Sequence, residues 1–123
     1  MHNELKIAHR DLKPENIMYK SDGDKVKIGD FTVALEIPHD DFVIKDQEGT
    51  KAFEAPEVSM LSEYKPRPLD IWAYGVTLYC FIMQKLPFSG TTDYEINKSI
   101  QKAKPYIPSD FSPELQELLR AIF

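Results

Sequence analysis

Cysteine is almost absent from this sequence. Cys80 is the only one in 123 residues, so no internal disulfide can form. A reducing compartment is consistent with that, and we expect a cytoplasmic location. Long apolar runs are missing too. The longest one, residues 71–83, is too short to span a bilayer and indicates a buried helix, so no membrane partner is expected.

The sequence also lacks an excess of positive charge. Its formal net charge is −5, whereas a general nucleic-acid binder needs a basic face, so no nucleic-acid partner is expected. Hydrophobic residues make up 42% of the chain and charged residues 28%, which is typical of a globular protein rather than a disordered one. The length fits one domain or part of one.

Local patterns predict a mainly α-helical chain with a small β-hairpin. Residues 16–20 and 25–31 favour two strands, joined by the turn signal Ser-Asp-Gly-Asp at 21–24. Residues 32–50 show no sustained period and predict a long loop. Apolar period and prolines predict helices at residues 55–61, about 70–84, 92–104 and 112–123. Thr92, in a capping box with Glu95, and Ser112 are the predicted N-caps of the last two helices.

Several single residues have an ordinary structural interpretation. Trp72, Tyr79 and Phe81 are expected in the core, and Cys80 is expected to be an inert buried thiol. Asp70 is expected to cap the helix that it opens. Solvated positions are expected for His2, His39 and the helix-face lysines Lys98, Lys102 and Lys104.

One charged run, His-Arg-Asp-Leu-Lys-Pro-Glu-Asn at residues 9–16, has a composition that suits chemistry. Asp11 and Asn16 flank a proline just before the hairpin, and the hairpin returns the chain so that Asp30 can lie beside Asn16. A carboxylate and an amide placed together can bind a hard cation such as Mg²⁺, whose shell is completed by phosphate and water.

Two further groups in the run extend this interpretation. Lys13 can neutralise a phosphate, and Asp11 can accept a proton from a hydroxyl. A base, a lysine, a metal-binding amide and a metal-binding carboxylate are the components of phosphoryl transfer. The alternative is an ordinary solvated surface turn, which is what such a short run forms most often when it stands alone.

Four motifs occur in the order found in one enzyme family, namely HRDLKPEN at 9–16, GDF at 29–31, APE at 55–57 and DIWAYGVTLY at 70–79. GDF and APE alone have little specificity, but HRDLKPEN is specific and the combined order leaves little room for chance. The chain resembles the C-terminal lobe of a eukaryotic protein kinase over almost its whole length. Lys13, and Gly49 with Thr50, resemble the serine/threonine class.

This resemblance implies a mainly α, kinase-like C-lobe without its N-lobe, with residues 9–16 as catalytic loop and residues 30–57 as activation segment. It implies that the complete protein transfers the γ-phosphoryl of Mg-ATP to Ser or Thr hydroxyls of a protein substrate, with ATP and Mg²⁺ as cofactors. The implied catalytic residues are Asp11 as base, Lys13 as γ-phosphate contact and Asn16.

The resemblance also implies binding and supporting roles. Asn16 and Asp30 would be the Mg²⁺ ligands, and Met18 would form the apolar floor under adenine. The implied nucleotide contacts are Lys13, Glu15, Asn16, Met18 and Asp30. The implied structural or regulatory residues are His9 stacked with Phe31, Arg10 as anchor of the activation segment, Thr50 as partner of base and lysine, Glu57 as partner of a downstream arginine, and Asp70 as brace beneath the catalytic loop.

Two departures from the family pattern lie between the motifs. Thr32 stands where glycine is usual, and a β-branched residue adopts positive φ poorly, so we expect a turn that no longer flips freely. Residues 33–48 contain no Ser, Thr or Tyr. We therefore expect Arg10 to pair permanently with an acid in place of a phosphate, from among Glu36, Asp40, Asp41, Asp46 and Glu48.

The third departure is the missing half of the family pattern. The 123 residues contain no Gly-rich loop, no strand lysine and no hinge for adenine. The leading hypothesis is a serine/threonine kinase fragment that is inactive alone, and residues 70–88 resemble the calcium/calmodulin-dependent protein kinase kinases. The alternative is a catalytically inactive, kinase-derived binding or regulatory module. The oligomeric state is not indicated.

Overall fold

The computed structural model describes residues 1–21 and 25–123. Within these residues, four short strands form two separate two-stranded sheets, and the other regular elements are helices. The strands are β1 (Ile7–Ala8), β2 (Ile17–Lys20), β3 (Lys25–Ile28) and β4 (Leu35–Glu36), and the helices are α1 (Pro56–Met60), α2 (Pro66–Met83), α3 (Asp93–Lys102) and α4 (Pro113–Ile122). Within the described residues, no helix has the length and apolar character needed to cross a membrane.

The predicted hairpin is confirmed as an antiparallel pairing of β2 with β3, in which Ile17 lies opposite Ile28. The Gly29 amide donates to the Asn16 carbonyl at 2.8 Å, so the pairing continues beyond the strand ends toward Asp30. Strand β2 starts one residue later than predicted because Pro14–Asn16 forms a short 3₁₀ helix ahead of it, and β3 ends at Ile28 rather than at residue 31. Residues 22–24 of the predicted turn lie outside the described residues.

The long loop, residues 32–50, contains a strand that was not predicted. Its β4 pairs antiparallel with β1, with Glu36 opposite Ile7 and Leu35 opposite Ala8. Two residues are too few to show the alternation by which a strand is recognised in a sequence. This pairing ties the start of the long loop to the chain immediately before the charged loop, residues 9–16.

Helix α2 begins at Pro66 rather than near Asp70, which corrects the predicted start. Pro66 and Pro68 occupy its first turn, where a missing backbone N–H costs no hydrogen bond. These prolines therefore start the helix rather than interrupt the chain ahead of it. Asp70 lies in the second turn and is not the N-cap, a position held by Lys65.

Helices α1, α3 and α4 agree with their predicted bounds to within two residues at each end. The Thr92 and Ser112 side chains accept hydrogen bonds from the Glu95 and Leu115 amides at 3.2 and 3.3 Å, which confirms both predicted N-caps. The Glu95 carboxylate accepts from the amide and hydroxyl of Thr91, one residue before the position that a capping box uses.

The main hydrophobic core packs against α2. Trp72 stacks on Phe88 with ring centroids 5.4 Å apart and meets Phe123 edge-on at 5.1 Å. The core positions predicted for Trp72 and Tyr79 are confirmed, whereas Phe81 is 51% exposed on the outer side of α2. The buried residues of this cluster are Ala55, Trp72, Val76, Phe88 and Ile100.

Candidate active site

Asp11, Lys13 and Thr50 form one hydrogen-bonded group. The Lys13 Nζ lies 2.7 Å from Asp11 Oδ2 and donates to Thr50 Oγ1 at 2.8 Å. The Thr50 hydroxyl donates to the other carboxylate oxygen, Asp11 Oδ1, at 2.7 Å. The end of the long loop therefore folds back onto the charged loop, and a single threonine links a carboxylate to an ammonium.

The charges of this group reinforce each other. Burial raises the pKa of Asp11, but hydrogen bonds from Lys13 and Thr50 outweigh burial and lower the pKa below its usual 3.8. The hydrogen bond to Asp11 is the main cause that raises the pKa of Lys13. Both side chains are therefore fully charged at neutral pH, with the carboxylate a weak base.

Asn16 and Asp30 adjoin this group at the end of the hairpin. Asn16 is buried, and its Nδ2 donates to the carbonyl of Asp11 at 2.7 Å and to its carboxylate at 3.2 Å. Asp30 is exposed, and its charge contributes to the raised pKa of Lys13. Hydrogen bonds from the Thr32 hydroxyl and amide lower the pKa of Asp30. The hairpin thus brings the two predicted metal-binding residues to one edge.

The turn that carries Asp30 does not need glycine at residue 32, and the expected loss of free flipping stays a prediction. The positive φ of this turn, 58°, belongs to Asp30, and Thr32 is not among the described residues with positive φ. Its hydroxyl lies 2.5 Å from Asp30 Oδ1. Threonine therefore adds a hydrogen bond that glycine lacks and holds the Asp30 carboxylate in place.

The oxygen donors at this edge fit one class of cation. No group of three or more His, Cys, Asp or Glu side chains in the described part of the chain could hold a metal ion. Mg²⁺ usually binds through one or two protein carboxylates and keeps its other positions for water and phosphate oxygens. An exposed carboxylate at Asp30 beside the fixed amide of Asn16 fits that requirement and does not fit a metal cage made only of protein groups.

Asp70 holds the main chain of the charged loop. Its two carboxylate oxygens accept from the amides of His9 and Arg10, each at 2.8 Å, and the residue is 2% exposed. Arg10 has φ of 70°, a strained value for a residue other than glycine, so this pair of bonds fixes an unfavourable backbone. The expected brace is thus present. His2 Nε2 lies 2.7 Å from Asp70, so the predicted solvated position of His2 is wrong.

The ring of His9 meets Phe31 at a centroid distance of 4.8 Å and an interplanar angle of 61°, so the expected stack is an edge contact. His9 Nε2 also lies 2.8 Å from the Gly29 carbonyl. These contacts fix the end of the hairpin relative to the charged loop. They connect Asp70, beneath the loop, to the turn that carries Asp30.

Three predicted site residues lie outside the group around Asp11. Glu15 is exposed, and its charge contributes to the raised pKa of Lys13. Met18 is 53% exposed on β2, where its methyl group lies over Gly29. Glu57 is in the first turn of α1. The roles expected for these residues stay predictions.

Arg10 forms the ion pair that was expected with one of five acids. Its Nη2 donates to Asp46 Oδ2. The sequence did not distinguish Asp46 from the other four acids. It also did not reveal the close approach of Gly49 to the charged loop, where a side chain would place Cβ 2.5 Å from the Arg10 carbonyl oxygen. Gly49 also has φ of 112°. A glycine just before Thr50 was the available signal for this close approach.

Comparison with known proteins gives a family for this arrangement. The family model described as "Protein kinase domain" matches residues 1–123. The chain is 38% identical over 116 residues to the serine/threonine-protein kinase GRIK1 of Arabidopsis thaliana, covering 94% of this chain and 29% of that protein. It is 40% identical over 115 residues to the serine/threonine-protein kinase ppk34 of Schizosaccharomyces pombe, covering 92% and 32%.

A third relative is the sperm motility kinase 3A of Mus musculus, 42% identical over 113 residues that cover 92% of this chain and 22% of that kinase. The chain therefore spans about a third or less of the curated relatives that it matches. The finer resemblance to the calcium/calmodulin-dependent protein kinase kinases stays a prediction. Because the family model covers all of residues 1–123, the chain belongs to the protein kinase family.

Proposed function

We propose that this chain is the C-terminal lobe of a serine/threonine kinase domain, with residues 9–16 as its catalytic loop and residues 30–57 as its activation segment. The protein that carries it would transfer the γ-phosphoryl of ATP to a Ser or Thr hydroxyl of a protein substrate, and we propose a cytoplasmic location. The observation that supports this most strongly is the joining of Asp11, Lys13 and Thr50 in one hydrogen-bonded group.

In this proposal Asp11 orients the attacking hydroxyl. Its carboxylate is held on both oxygens, and the lowered pKa keeps it ionised, so it accepts a hydrogen bond from the acceptor at neutral pH. A weak base takes the proton late, after the bond to phosphorus has largely formed. That order suits a loose transition state, in which positioning and electrostatics supply most of the catalysis.

Lys13 and the two residues at the hairpin end would receive the phosphate. Lys13 Nζ is already 2.7 Å from Asp11, so a γ-phosphoryl bound to this ammonium would lie next to the acceptor hydroxyl. Because the Asn16 Nδ2 is occupied by Asp11, the amide oxygen is the atom that would bind Mg²⁺, together with the Asp30 carboxylate. When bound, Mg²⁺ would neutralise charge that develops on the phosphate oxygens.

Residues 1–123 alone are expected to show no kinase activity, because nothing in them covers the phosphates from the other side. The test is a chimera in which these residues replace the matching segment of the Arabidopsis relative, whose remaining sequence supplies the rest of the domain. We expect the chimera to transfer phosphate to a protein acceptor on Ser or Thr, and the chain alone to give only the blank rate.

A catalytically inactive, kinase-derived binding module would give a different result in the same assay. A chimera that melts cooperatively and binds ATP but transfers no phosphate would contradict the proposal. It would indicate a kinase-derived binding module. The 123-residue chain could itself turn over ATP only if it held the groups that cover the phosphates. Such turnover, if Asp11→Asn abolished it, would contradict the expectation that these groups lie outside residues 1–123.

A further inference from the structure

We propose that Asp46 is a positioning residue that acts through Arg10 and keeps the Asp11 group assembled without phosphorylation. The ion pair itself stands on geometry alone, whereas its effect on catalysis rests on the function proposed above. Of the five acids in residues 36–48, Asp46 is then the one that fixes Arg10, and the site does not depend on an activating kinase.

The two partners of this ion pair depend on it unequally. The Arg10 side chain is only 7% exposed, whereas that of Asp46 is 53% exposed. A desolvated guanidinium without a partner is strongly destabilising, but an exposed carboxylate is well hydrated on its own. Arg10 therefore needs Asp46 more than Asp46 needs Arg10, and the backbone of Arg10 is part of the charged loop.

The backbone around Asp46 is held by contacts that do not involve Arg10. Ile44 and Tyr64 exchange two backbone hydrogen bonds, of 2.9 and 3.0 Å. The buried Tyr64 hydroxyl donates to the Asp46 carbonyl at 2.6 Å, and Gln47 Nε2 donates to the Val58 carbonyl at 3.1 Å. Asp46 is thus preorganised to meet Arg10, which lowers the entropy lost when the pair forms.

The chain from Asp46 to Thr50 contacts the charged loop at several points. It begins with the ion pair to Arg10, continues with Gly49 packed against the Arg10 carbonyl, and ends with the Thr50 hydrogen bond to Asp11. Loss of the ion pair frees the first of these anchors. We infer that Thr50 then contacts Asp11 and Lys13 for a smaller fraction of the time.

Two of the neighbouring acids pair with other cations. Asp40 pairs with Arg67 at 2.9 Å, and Asp41 pairs with Lys65 at 3.1 Å. Residues 33–48 offer no hydroxyl that a kinase could phosphorylate. A fixed carboxylate therefore takes the position beside Arg10 that a phosphate could take only through modification.

The first test uses the 123-residue chain, with Asp46→Asn, Asp46→Glu and Asp41→Asn as matched variants. The Phe53 amide donates to the Thr50 carbonyl at 2.8 Å, and its hydrogen exchange should become about tenfold faster in Asp46→Asn, because one charge-assisted hydrogen bond that holds this segment is lost. Asp46→Glu should restore slow exchange, and Asp41→Asn should leave it unchanged.

A double variant covers the case in which Asp46→Asn does not fold. Arg10→Gln with Asp46→Asn removes the lone buried charge, so it should be more resistant to urea than Asp46→Asn alone. The proposal is overturned if amide exchange at Phe53 is the same in Asp46→Asn as in Asp41→Asn. It is also overturned if the double variant is less stable than Asp46→Asn.

The second test measures catalysis in the chimera. The protein made in bacteria should be active without an upstream kinase and unchanged by phosphatase. Asp46→Asn should lower kcat by about tenfold or more with little change in KM for ATP, and Asp46→Glu should recover most of it. An inactive parent chimera would count against the proposed function, while the exchange data would still decide the ion pair. Silencing by phosphatase would overturn phosphate independence.

Discussion

Replacing Asp11 by asparagine is expected to lower kcat of the chimera by about 10²–10⁴-fold, the range seen when a positioned proton acceptor is lost. The amide keeps the size of the side chain but removes the negative charge that pairs with Lys13 at 2.7 Å. It also removes the carboxylate that would accept the proton of the substrate hydroxyl. The KM for ATP should change much less, since Lys13, Asn16 and Asp30 remain.

The matched control for this variant is Asp110→Asn, an exposed aspartate in the turn before α4. It makes the same chemical change away from the site and should leave kcat within twofold of the parent. Phosphate transfer by Asp11→Asn at the parental rate would show that this carboxylate is not needed. The assignment of residues 9–16 as the catalytic loop would then be wrong.

Replacing Asp30 by asparagine is expected to reduce phosphate transfer by about 10²–10³-fold, the order found when one electrostatic partner of a developing charge is removed. Of the two residues proposed to bind Mg²⁺, Asp30 supplies the only negative charge. Raising the Mg²⁺ concentration should recover part of the activity, which a loss of folding would not allow.

Thr32→Gly is the companion variant in the same turn. It removes the hydroxyl 2.5 Å from Asp30 Oδ1 but keeps the carboxylate itself. Its effect should therefore be mild, and we expect the pKa of Asp30 to rise because the hydrogen bond from the Thr32 hydroxyl, the main cause that lowers it, is lost. A chimera silenced by Thr32→Gly but unaffected by Asp30→Asn would contradict the proposed metal site.

Much of this site could be predicted because its signals are local. The run at residues 9–16, the hairpin and the two N-caps depend on residues close together in the sequence. The contact between Lys13 and Thr50 could be predicted only from the family resemblance. The hydrogen bonds between them confirm the contact and leave the catalytic roles to experiment.

The features that could not be predicted depend on how distant segments pack. The start of α2 was misplaced because prolines such as Pro66 both end and begin helices, and only packing decides between the two. Phe81 was assigned to the core because a helical period does not show which side of a helix is covered. Asp46 could not be selected because its position depends on the bridge between Ile44 and Tyr64.

We propose that this chain itself forms one metal–phosphate site, between the charged loop and the hairpin end. NMR of the 123-residue chain titrated with Mn²⁺ and ATP tests this site, because Mn²⁺ stands in for Mg²⁺ and broadens nearby resonances. We expect broadening centred on Asn16 and Asp30 that requires both Mn²⁺ and ATP and disappears in Asp30→Asn. Broadening centred on the acids of residues 36–48, or unchanged by Asp30→Asn, would contradict it.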